Sequence, residues 1–296
     1  MYSVNFDLEI ITPLFMAGAD GRTPEIRPPS FKGMMRFWWR AMRAEDIETL
    51  AKDEAELFGG TGEVQGKSKV GLKIFGPKLK INSFPPLPHK HTQFSFNGFE
   101  PNQSFKCLLI LRNTNSQQNK KILDTFKLSL LLGGLGKRSR RGFGSISYKI
   151  FKKHEEIIKE LEDISTTINK NKALKQSNYH NDDAIVAERE INLSDPRYSY
   201  PRIQRVYIGM HQSTSYEDLL KKIGSASHDH RDNALGAINP RRMASPIVAT
   251  AVKVNKHFYP IITELTSHFP EGYQYNIVKQ DNFIRGALHN EQKRGF

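Results

Sequence analysis

Apolar and polar residues alternate from the first turn of the chain. Tyr2, Val4, Phe6, Leu8 and Ile10 share one face, which predicts a half-buried strand over Tyr2–Ile10, ended by Thr12-Pro13. A loop rich in Gly, Asp and Pro runs to Pro28-Pro29. From there Phe31, Met34, Met35, Trp38 and Met42 recur at helical spacing, predicting a helix from Phe31 to Arg43 with Ser30 as its cap. Glu45 to Leu57 extends this helix or starts another. Short apolar runs predict strands at Val70–Phe75, Gln93–Phe96 and Phe105–Arg112. The stripe Ile122, Phe126, Leu130 and Leu131 predicts a helix over Gln118–Leu132. Alternation returns at Phe143–Phe151, read as a strand.

The order is strand, helix, strands, helix, strand, the β-α-β-β-α-β pattern of a ferredoxin-like, RRM-type unit. After it, residues 154–175 are charged and helical, with a polar stretch to Asp183. Ile203–Met210 reads as a strand, Ser215–Ile223 as a helix, Pro246–Val254 and Lys256–Leu265 as a strand pair, and Ile277–Asn290 as a last helix. The predicted class is α+β: two ferredoxin-like domains with antiparallel sheets and helices packed on one face. The first spans 1–152, and the second, divergent and preceded by a helical connector, spans 153–296. A sheet covered on one face leaves its other face and its loops open to RNA.

Charge sharpens this picture. The chain carries 44 Lys+Arg against 31 Asp+Glu, a net of +13, and residues 1–150 account for +10 of it. Such a balance favours a polyanionic partner, nucleic acid before membrane. No stretch reaches the roughly 18 apolar residues of a membrane span. The N-terminus has no signal-peptide pattern, and the single cysteine, Cys107, lies in an apolar run. These features predict a cytoplasmic protein.

Two segments concentrate the chemistry. Residues 133–144, GGLGKRSRRGFG, hold five glycines and four cations directly after an apolar run. Gly134 and Gly136 let backbone approach a ligand closely, and Lys137, Arg138, Arg140 and Arg141 suit phosphate oxygens. The spacing matches neither a P-loop nor a dinucleotide fingerprint. In the second segment Lys32, Arg36, Arg40 and Arg43 fall at spacings of four, four and three, a basic stripe beside Trp38 and Trp39. Trp38 fits the apolar side and Trp39 its edge, where a ring can stack on a base. Arg27 lies just before this helix, whose N-terminus is itself anion-friendly. Arg202, before Ile203, and Arg241-Arg242, before Pro246, are further phosphate contacts. His228-Asp229-His230-Arg231-Asp232 reads as a polar loop, and no completed metal set or paired carboxylates accompany it, so neither a metal nor a cofactor is expected.

The residues Thr12-Pro13-Leu14-Phe15, Ala17-Gly18, Pro24-Glu25-Ile26-Arg27 and Ser30-Phe31-Lys32-Gly33 through Ala41 resemble the N-terminal signature of RAMP proteins. The segment 133–144 looks like the glycine-rich loop of that superfamily. The tryptophan-bearing version resembles the subunit-one family of the Cmr complex, the type III-B CRISPR effector. The resemblance covers about the first 150 residues. It implies two ferredoxin-like folds and membership of an antiviral ribonucleoprotein. It also implies contact with guide RNA, at its 3′ part, with target RNA and with other Cmr subunits. It implies a binder without catalytic residues of its own. The alternative is a RAMP-type, metal-independent endoribonuclease that processes guide RNA by general acid–base chemistry.

Overall fold

The structure is a computed structural model, described here for residues 1–60, 66–90, 93–178, 182–190, 199–239, 242–269 and 271–289. Strand β1 (Tyr2–Ile10) leads to helices α1 (Pro28–Arg43) and α2 (Ile47–Phe58). Four strands follow, β2 (Val70–Phe75), β3 (Ile81–Phe84), β4 (Phe96–Phe99) and β5 (Ser104–Leu111), then α3 (Ser116–Leu132) and the two-residue β6 (Ile146–Ser147). The rest comprises α4 (His154–Ile168), β7 (Lys175–Gln176), β8 (Ala184–Glu188), β9 (Ile203–Gly209), α5 (Tyr216–Asp229), β10 (Ile247–Val254), β11 (His257–Leu265) and α6 (Val278–Leu288).

The first sheet has the order β2-β5-β1-β6, antiparallel throughout. Leu8 and Ile10 of β1 and Phe105, Cys107, Leu109 and Leu111 of β5 point to one face, against Phe31, Met35 and Trp39 of α1 and Ile122 and Phe126 of α3. This is the ferredoxin-like layout the alternation predicted. The outward face pairs Asp7 with Lys106 and sets Phe75 opposite Lys106, so it is mixed in charge rather than a basic platform.

The second sheet runs β10-β11-β9-β8-β7, also antiparallel. One face packs on α5 and α6 through Leu219, Ile223, Phe283 and Leu288. The other packs on Trp38, Leu128 and Leu132 and on Ile157, Leu161 and Ile164 of α4. Covered on both faces, β10 and β11 are buried at almost every position and read as continuous apolar runs. The helices α1 and α3 thus lie between the two sheets and serve both cores.

Several expectations shift. Helix α1 starts earlier, with Arg27 as N-cap and Pro28 and Pro29 in its first turn. Proline lacks an N–H and is pre-set for that position, so the pair opens the helix instead of preceding it. The alternating run 143–151 is only briefly a strand. Within it Ile146 and Ser147 pair with β1, and Phe151 makes a single bridge to Val254 of the second sheet; Arg141, just before it, bridges Ala249. The strand expected at Gln93–Phe96 is displaced to β4, which forms a two-stranded hairpin with β3. The helix expected over 154–175 is α4, which ends at Ile168, and the stretch after it adds the unexpected short strands β7 and β8.

Candidate nucleic-acid interface

The glycine loop sits at the seam of the two sheets. Against the first half, Lys137 N–H donates to the Phe15 carbonyl at 2.9 Å, Gly144 N–H to Pro13 at 3.0 Å, and Thr12 Oγ1 to the Gly142 carbonyl at 2.7 Å. Against the second, Gly142 N–H donates to Ala249 at 2.8 Å, and Ala249 N–H returns to Arg140 at 3.2 Å. Two glycines are dictated by this closure. Gly136 (φ 80°) and Gly144 (φ 67°) lie in the left-handed region, and a Cβ would strike the Phe15 carbonyl at the first and the Leu135 carbonyl at the second. The glycines therefore fold the loop tightly, and Gly134 is half-buried against Phe143 and Ser139.

The four loop cations divide. Arg141 turns inward: its guanidinium donates to Leu235 O (2.9 Å), Ile247 O (3.1 Å), Ser245 Oγ (3.2 Å) and Ser227 Oγ (3.0 Å), and lies 5.0 Å from the Phe283 ring. Burial, with Arg138 and Arg140 nearby, pushes it down to about 10. It is a structural pin, which corrects the expectation of a phosphate contact. Arg140 donates to the Ser245 carbonyl and lies 5.1 Å from the Phe37 ring, half-buried, with burial lowering its pKa. The Arg138 backbone is left-handed (φ 63°), and its Nε finds no acceptor among the described residues. Burial lowers its pKa too. Lys137 is exposed.

Helix α1 meets the loop through a face other than its basic stripe. Met34, Phe37 and Trp38 line a cavity of about 160 Å³ with Gly133, Gly134, Ser139 and Arg140. A second cavity, of about 190 Å³, begins on the other side of Arg140 and is lined by Pro201, Met243, Ser245, His268 and Phe269. Together they form a groove across the loop.

The basic stripe points away from it. Arg36 Nε and Arg40 Nη1 both meet Glu54 Oε1 at 2.6 Å, and Arg43 meets Asp53 at 2.5 Å. Glu54 and Asp53 of α2 thus pair with three cations of the stripe, two carboxylates against three guanidinium groups. Lys32 stays half-buried, its pKa lowered by burial and by Arg36, and Arg27 is half-buried at the helix start. Trp39 is 1% exposed, packed on Phe58 with Arg43 over its ring, so it offers no face to a base. Its neighbour Trp38 faces the other core. Arg202 is 2% exposed, its backbone tied to Thr266. Arg242 is exposed beside the groove, and Arg241 lies outside the described residues. His228 and Asp229 belong to the last turn of α5 rather than a loop, and Asp232 caps the turn after it by accepting from Ala234 N–H. The His228 ring lies 5.5 Å from that of His89, whose pKa is lowered by burial and then by His228. Among the described residues no group of three or more His, Cys, Asp or Glu is arranged to hold a metal, and no helix is long and apolar enough to cross a membrane.

Sequence reading missed Phe37, which shared a helix with two more conspicuous tryptophans, and the β3–β4 hairpin, whose signal was the pair Phe94 and Phe96 at strand spacing.

Residues 7–147, from β1 to β6 and including the whole loop, match the family described as the RAMP superfamily. Among curated relatives, the Cmr subunit Cmr1-2 of the CRISPR system of Pyrococcus furiosus is 29% identical over 188 residues, which are 51% of this chain and 98% of that protein. Cmr1-1 of the same organism is 29% identical over 184 residues, 54% of this chain and 51% of the relative. The likeness in fold covers nearly the whole chain. The crystal structure of apo Cmr1 from Pyrococcus furiosus superposes with a TM-score of 0.62 at 18% identity, covering 97% of this chain and 96% of that one. A chain of the type III-B Cmr-beta complex bound to cognate target RNA matches with a TM-score of 0.58 at 11% identity, covering 96% and 99%.

Proposed function

We propose that this protein is an RNA-binding subunit of a type III-B CRISPR (Cmr) effector complex. It holds the 3′ part of the guide RNA, and target RNA paired with it, through phosphates, and acts in the cytoplasm beside other Cmr subunits. The observation that carries this reading is the glycine loop at the seam of the sheets. Three of its cations, Lys137, Arg138 and Arg140, remain outside the internal pin made by Arg141, and a groove runs across it from Phe37 to Phe269. Backbone and cations at that site hold phosphates without reading bases. Arg242 extends the same surface, and Arg27 and Lys32, at the start of α1, are further phosphate contacts. The two sheets are taken as the domains 1–152 and 153–296.

Binding of single-stranded RNA, followed by fluorescence anisotropy over a range of salt, tests this. Four to six phosphate contacts give a log–log slope of roughly −3 to −4, and a slope near zero removes the electrostatic grip. We take the chain as non-catalytic: the purified protein leaves guide-type and target RNA intact with Mg²⁺, Mn²⁺ or chelator. Cleavage that disappears in a His89→Ala/His228→Ala variant makes the chain an endoribonuclease instead.

A further inference from the structure

Next to the glycine loop, outside the groove above, lies a cavity of about 470 Å³, within the roughly 300–1,000 Å³ of small-ligand sites. Three stretches far apart in sequence enclose it: Phe15 and Ala17 after β1, the turn Asp20–Arg22, and Ser95–Asn97 at β4, with Lys137 of the loop closing one side. Its apolar wall is aromatic. The Phe96 ring stands edge-on to Phe15 at 5.4 Å, and Phe94, 56% exposed, packs against Phe96 at 4.9 Å. Lys137 Nζ lies 4.7 Å from the Phe96 centroid and donates to the Gly21 carbonyl at 3.0 Å.

The polar groups are few and differ in availability. Arg22 and Lys137 bring two positive charges. Asp20 brings one negative charge, held down at about 2 because it accepts from Thr23 Oγ1 and from the backbone N–H groups of Arg22 and Thr23. Its carboxylate is thus engaged in closing its own turn, and one positive charge is in surplus at the rim. Asn97 is exposed on the cavity side and presents both a donor and an acceptor. Rings for a π-face, an amide for a base edge and a cation at the mouth together match one nucleotide. An acidic side chain would use the cation alone and leave the aromatic wall and the amide idle.

We infer that one nucleotide of the bound RNA turns its base into this cavity against Phe96, with its phosphate on Lys137. Neighbouring phosphates follow the loop to Arg138 and Arg140. The inference rests on the RNA-binding reading and adds to it a base subsite that an electrostatic clamp does not require.

The test compares oligouridylate with a base-free ribose–phosphate polymer of equal length. Wild type binds oligouridylate more tightly. Phe96→Ala lowers that affinity by about 5- to 150-fold, the span of one base–aromatic stack, and leaves the base-free polymer unaffected. Phe96→Leu keeps the apolar contact with Phe15 and shows the same selective loss, which separates stacking from collapse of the hairpin. Loss of equal size on both polymers, or on neither, overturns the base subsite while the RNA-binding reading stands. If wild type binds neither polymer, the RNA-binding reading fails and the subsite with it.

Discussion

Replacing Arg141 by Met removes the guanidinium and keeps an apolar stem over Phe283. Five acceptors lose their charged donor: Leu235 O, Ile247 O, Arg140 O, Ser245 Oγ and Ser227 Oγ. At about 1.5 kcal/mol for each bond to a charged group, the loss is about 7.5 kcal/mol. A gain opposes it, because burial disfavours the cation and pushes its pKa down to about 10. Removing a buried charge returns several kcal/mol. The net is about 3–4 kcal/mol of destabilisation, or roughly 6–12 °C in melting temperature for a chain of this size. The assay is thermal unfolding by circular dichroism, run beside RNA anisotropy. Lys137→Ala, four residues earlier in the same loop, is the comparison: it weakens RNA binding and leaves the melting temperature unchanged. An Arg141→Met protein that melts like wild type but binds RNA as poorly as Lys137→Ala refutes the reasoning and returns Arg141 to the phosphate surface.

Other outcomes follow from the same geometry. Trp39→Ala destabilises the protein by about 3–5 kcal/mol, as expected for emptying a buried aromatic site, and a melting temperature equal to wild type contradicts its burial. Arg36→Ala and Arg40→Ala leave RNA affinity essentially unchanged, since both guanidinium groups are engaged with Glu54; a drop like that of Lys137→Ala brings the stripe back into the interface. Stability falls as pH drops from 7 towards 5. Burial lowers the folded-state pKa of His89 and His154, so below the unfolded value of about 6.5 the unfolded chain binds more protons and is favoured. His154→Phe, which keeps the edge contact with Tyr259, flattens the dependence, and an unchanged pH profile in that variant excludes His154 as a source.

Much of the fold was legible because its signals are local. The alternation in Tyr2–Ile10, the helical stripe before the glycine loop and the Asn255 turn between β10 and β11 each state their own structure. The site was legible in place but not in orientation. That Arg141 faces inward depends on acceptors from residues 227 to 247, and that Arg36 and Arg40 share Glu54 depends on how α2 folds back on α1. Both facts are long-range, and a helical wheel of α1 alone leaves its basic side looking free. The run Phe143–Phe151 alternates like a strand because its apolar residues enter a core, but only Ile146 and Ser147 pair with β1, and Phe151 reaches the second sheet through one bridge. The β3–β4 hairpin carries little apolar periodicity, and Phe96 acquires meaning only beside Phe15 and Lys137.

The helices shared between the two sheets have a consequence for how the chain comes apart. Trp38 faces one core and Trp39, the next residue, faces the other, so a single helical turn is a wall common to both rooms. Neither sheet can shed its cover without exposing the other, and unfolding should proceed as one event with one midpoint. A strand gripped at the seam is then registered against the entire molecule at once, as a ruler clamped at its fixed corner measures along both edges.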